Sequence, residues 1–101
     1  MIRITITVQE QKLLFESQGH AGGTKGQDLV CAAVSVLTQT LGLFLKKEKL
    51  LQKEIVEEGF LLLETVSLNE QVKSSVDMTL TGLETLRNQY PEKIEIIYKQ
   101  I

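Results

Sequence analysis

Residues 2–8 alternate strictly between apolar and polar. Ile2, Ile4, Ile6 and Val8 fall on one side and Arg3, Thr5 and Thr7 on the other, the period of a half-buried strand. Such a strand needs a layer over its apolar face, so the remainder of the chain must supply one. Gln9-Glu10-Gln11-Lys12 is a polar break, and Leu13-Leu14-Phe15-Glu16-Ser17 reads as a second strand paired with the first as a hairpin.

From Asp28 to about Lys47 the period becomes helical. Leu29, Ala32, Ala33, Val36, Leu37, Thr40, Leu43 and Phe44 recur at three- and four-residue steps, and these are expected to form the apolar stripe. Asp28 stands where a carboxylate accepts from first-turn amides. Leu50 to Glu57 and Phe60 to Val66 read as two strands joined at Glu57-Glu58-Gly59, with glycine where φ is free to be positive. Phe60-Leu61-Leu62-Leu63 is apolar throughout, as in a strand covered on both faces or buried at a subunit contact.

Ser67-Leu68-Asn69-Glu70 has the spacing of a capping box, and Val72, Val76, Leu80, Leu83 and Leu86 supply the stripe of a second helix that Pro91 stops. Alternation returns from Lys93 to Lys99. The order strand, strand, helix, strand, strand, helix, strand predicts an α+β domain over residues 1–101. Its sheet is expected to be largely antiparallel, with two helices packed on it.

The charge balance excludes some partners. A net charge of −2 leaves no footprint for nucleic acid, and Lys46-Lys47 with Lys49 is read as a solvated helix end. One cysteine forbids an internal disulfide. No run resembling a signal peptide or a membrane span is read in the sequence, so the expected location is the cytoplasm, without a membrane partner. One histidine and one cysteine are too few for a closed zinc site, and neither metal nor cofactor is expected.

Chemistry is expected in one stretch, Gly19 to Ser35. It contains His20, Cys31 and four of the seven glycines, Gly19, Gly22, Gly23 and Gly26. It runs from a strand end into a helix start, where unpaired amides and the positive end of the macrodipole gather. A thiol one turn into such a helix ionises readily, and His20 can act as its base if the chain from Ala21 to Gln27 folds back. Backbone donors there can hold an oxyanion. Three other readings use the same residues. Cys31 can be a small apolar filler, the stretch can grip a protein terminus without cutting it, or it can bind an anion. It is not a P-loop, because the Gly-Lys-Ser/Thr ending is missing.

Gly19-His20-Ala21 followed by Gly26-Gln27-Asp28-Leu29-Val30-Cys31-Ala32-Ala33-Val34-Ser35 closely resembles the signature of the ribosomal-processing cysteine protease family, Prp. That signature is G-H-A, a short variable loop, then G-x-D-[IL]-V-C-A-A-V-S. The resemblance extends to chain length and element order. It implies an endopeptidase that removes the N-terminal extension of a large-subunit ribosomal protein, from a family of homodimeric α/β proteins.

By the same resemblance Cys31 is the nucleophile and His20 the general base, with Asp28 and Ser35 in support. Asp28 would cap the helix or orient His20, and Ser35 would bond near the thiol or back to the Cys31 carbonyl. Gly19, Ala21, Gly22, Gly23 and Gly26 would form a substrate loop. This loop is one residue shorter than is usual in the family, and Gly22-Gly23 replaces bulkier, often aromatic residues. The family's substrates carry paired aromatic residues just before the cut, which implies an apolar recess.

Overall fold

The computed structural model describes residues 1–20 and 28–101. Five strands and two helices follow the expected order: β1 (Ile2–Gln9), β2 (Lys12–Gly19), α1 (Leu29–Lys47), β3 (Leu51–Glu57), β4 (Phe60–Thr65), α2 (Glu70–Gln89) and β5 (Ile94–Gln100). The sheet order is β3-β4-β2-β1-β5. All neighbours pair antiparallel except β1 with β5, which are parallel.

This order explains where the helices go. β2 and β3 run the same way with β4 between them, and β4 and β5 run the same way with β2 and β1 between them. Parallel strands need a crossover, and α1 and α2 provide the two. The crossovers start from oppositely directed strands and travel toward opposite edges. Their right-handed preference therefore puts both helices on one face. α1 lies against β3 and β4, α2 against β5, and the helices against each other.

The covered face carries the residues that alternation selects. Registered pairs align Ile6 with Phe15 and Phe15 with Leu63, and all three are buried. On the opposite face Leu14, Leu62 and Ile97 remain half-buried. The apolar run of β4 is thus split between the faces, with Leu61 and Leu63 inside the core. The β3 edge is guarded by charge, Lys46 Nζ lying 2.8 Å from Glu54 Oε1, and by a bulge between Leu51 and Lys53, two devices that discourage pairing with another chain.

The two helices differ in how well periodicity predicts them. Val72, Val76, Leu80 and Leu83 of α2 are buried as expected. On α1 the buried residues are Val30, Val34, Thr38, Leu41, Gly42 and Leu45, whereas Leu29, Val36 and Leu43 of the expected stripe are 77%, 66% and 66% exposed. Apolar residues occur all round this helix, so its period does not select a face. For the same reason α1 meets the length and composition of a membrane span, with a mean hydropathy of 1.7 over an 18-residue window, contrary to the sequence expectation.

The start of α2 also differs from expectation. Asn69 is the N-cap, its Oδ1 accepting from the Val72 amide at 2.9 Å. Ser67 instead offers its carbonyl to Thr65 Oγ1 at 2.8 Å, which holds it outside the helix. Replacing Asn69 with alanine is expected to destabilise the fold by about 1 kcal/mol, the usual cost of a lost cap. The urea midpoint would register it; the same loss from Ser67→Ala with none from Asn69→Ala would restore the capping box.

Candidate active site

The recess forms at one end of the sheet, where β2 ends, the β3–β4 turn closes and α1 begins. Each part has a local cause. β2 ends at Gly19, whose φ is +102°; a Cβ there would collide with the carbonyl oxygen of Met1. The N-terminal amine of Met1 donates to the His20 carbonyl at 2.6 Å, tying the strand end to β1. The Gly19 amide donates to the Gly59 carbonyl at 2.9 Å, tying it to the β3–β4 turn.

α1 begins at Asp28, an extended N-cap with φ −87° and ψ 95°. Its Oδ1 accepts from the Cys31 amide at 3.0 Å, and its carbonyl accepts from the Ala32 amide at 3.2 Å. Of the two roles implied for Asp28, helix capping is therefore the one seen among the described residues. The capped turn fixes the backbone of Cys31, whose side chain is half-buried and packs partly against the core.

His20 and Cys31 both line a recess of about 350 Å³, together with Ser35 and Thr38 of α1 and Glu57 and Glu58 of the turn. His20 is exposed at the rim. The sequence-predicted pair thus meets at one cavity despite lying on different elements. Val34, Val56, Phe60 and Leu61 add apolar lining.

Ser35 lies on the recess, but its hydroxyl makes neither expected hydrogen bond among the described residues. The back-bonding hydroxyl of that turn is Thr38 Oγ1, which donates to the Val34 carbonyl at 2.9 Å and to the Ser35 carbonyl at 3.4 Å. Ala21, Gly22, Gly23 and Gly26 of the expected substrate loop lie outside the described residues. Among the described residues no three His, Cys, Asp or Glu side chains gather as metal ligands would. In the sequence Glu57, Glu58 and Gly59 mark only a hairpin connection. Their place beside His20 follows from β2 and β4 being neighbours, which local sequence does not reveal.

Comparisons with known proteins agree with this fold. A family model described as cysteine protease Prp matches residues 1–95. The ribosomal processing protease Prp from S. aureus, solved with a covalently linked product peptide, is similar in fold, with a TM-score of 0.83 and 24% identity over 98% of this chain and 100% of that one. The same enzyme with a substrate peptide gives a TM-score of 0.78 and 23% identity over the same shares. SMU.848 from Streptococcus mutans gives a TM-score of 0.73 and 26% identity over 100% of this chain and 96% of that one. No curated protein is significantly similar in sequence.

Proposed function

Because the chain belongs to the cysteine protease Prp family, we propose that Cys31 is its nucleophile and His20 its general base. In this reading it removes the N-terminal extension of a large-subunit ribosomal protein, in the cytoplasm and as a homodimer. One observation carries the assignment: the two side chains share a single recess large enough for part of an extended peptide. The exposed apolar stripe Leu29, Val36 and Leu43 of α1 supports a self-association surface.

The chemistry follows from the parts. His20 takes the thiol proton, and Cys31 Sγ attacks the scissile carbonyl carbon to give a tetrahedral oxyanion. His20 then returns that proton to the departing amine as the carbon–nitrogen bond breaks, leaving a thioester. Water, deprotonated by His20, hydrolyses the thioester and restores the thiol. The oxyanion needs preorganised donors. In this reading backbone amides at the start of α1, near Cys31, are the donors. Glu57 and Glu58 at the rim favour a cationic peptide over an acidic one.

Incubation with a synthetic peptide spanning the extension and the first residues of the mature ribosomal protein should yield two fragments by mass spectrometry. Prior alkylation of the protein should prevent the cut. An intact peptide after prolonged incubation, or cleavage unaffected by alkylation, would count against the assignment.

A further inference from the structure

The His20 imidazole lies over the α-carbon of Gly59. A Cβ built on Gly59 would stand 2.7 Å from His20 Nε2, 3.1 Å from Cε1 and 3.6 Å from Cδ2, so the ring occupies the space that any side chain at 59 would take. Gly59 is itself fixed. It closes the β3–β4 turn with φ +75°, and its carbonyl accepts from the Gly19 amide, the residue just before His20. Among the described residues no side chain hydrogen-bonds to this imidazole. The ring lies against the backbone of Gly59, and Asp28 Oδ1 accepts from the Cys31 amide.

We propose that Gly59 is a positioning residue for His20: the turn's bare α-carbon is the surface against which the imidazole is set at the Cys31 recess. The inference rests on the reading of His20 as general base. It explains glycine at 59 by more than turn geometry, because asparagine also accepts a left-handed φ at low cost yet carries a Cβ. Ordinary contact begins near 3.4 Å, so with any Cβ at 59 the ring must retreat by several tenths of an ångström. A histidine tip can move that far cheaply. Proton transfer is sensitive to it, since a displacement of about 1 Å costs on the order of 10²-fold in rate.

The test compares Gly59→Asn with a semisynthetic protein carrying D-alanine at 59. D-alanine favours positive φ and puts its methyl group on the other side of the α-carbon. The readouts are kcat/KM on the extension peptide, the pH dependence of Cys31 alkylation and the thermal midpoint, with His20→Ala alongside. Gly59→Asn is expected to keep the midpoint and lose about 10–100-fold in kcat/KM. Its alkylation profile should move toward that of an ordinary thiol near pH 8.5, and the D-alanine protein should behave as wild type. Equal losses in both proteins with an unchanged alkylation profile would show that the turn matters only structurally, which overturns the inference. If His20→Ala is inactive but Gly59→Asn is indifferent, this inference alone falls. A fully active His20→Ala would remove the reading beneath it as well.

Discussion

Replacing Cys31 with alanine is expected to leave a folded protein that no longer cuts the extension peptide. The loss should be at least about 10⁴-fold, the scale on which removal of a covalent nucleophile acts. The fold should tolerate the change. Cys31 is half-buried, its amide still caps against Asp28, and alanine already occupies the next two positions. Intact mass of the peptide gives the first quantity and the thermal midpoint of the variant the second. Cleavage within about tenfold of wild type would dismiss Cys31 as nucleophile. A variant that unfolds would mean that the thiol's main work is packing.

The largest effect on stability is expected at Phe15. Its side chain is fully buried and lies between Ile6 and Leu63 in the central row of the covered face. Phe15→Ala should cost about 3–5 kcal/mol, the transfer term plus the cavity left behind. For a chain of this size that lowers the thermal midpoint by roughly 12–40 °C. Urea titration should show a lower midpoint with an unchanged slope. A cost below about 1 kcal/mol would mean that the helices settle into the space, and that the sheet–helix packing is looser than the burial implies.

The elements that could be read from the sequence are those whose pattern is local. Alternation at Ile2, Ile4 and Ile6 identifies both a strand and its buried face, and the stripe Val72, Val76, Leu80, Leu83 does the same for α2. α1 was legible as a helix but not in orientation, because Leu29, Val36 and Leu43 are as apolar as Val30, Val34 and Leu41. Periodicity ranks hydrophobicity around a helix, and here the ranking is nearly flat. The choice between Ser67 and Asn69 as cap turned on where Thr65 directs its hydroxyl, a contact made only after folding.

The candidate site divides the same way. His20 and Cys31 were legible because the stretch around them matches a family signature, and Asp28 because its place before the helix gives a carboxylate a local task. Gly59 was not. Its spacing announces a hairpin turn and nothing more, and only the pairing of β2 with β4 brings that turn under the imidazole. Alternation tells a strand which face to bury, not which neighbour to take.

The parallel pairing of β1 with β5 also bears on how the chain reaches its native state. Arg3 and Glu95, 3.0 Å apart in the finished sheet, are joined by a loop of nearly the whole chain. The entropy of closing it is spent before the Ile2–Ile94 and Ile4–Ile96 contacts give anything back. Non-local contacts of this kind slow folding relative to a helical bundle of equal length. On the ribosome, β1 leaves the tunnel with one edge that nothing can pair until β5 follows. The first strand made waits for the last.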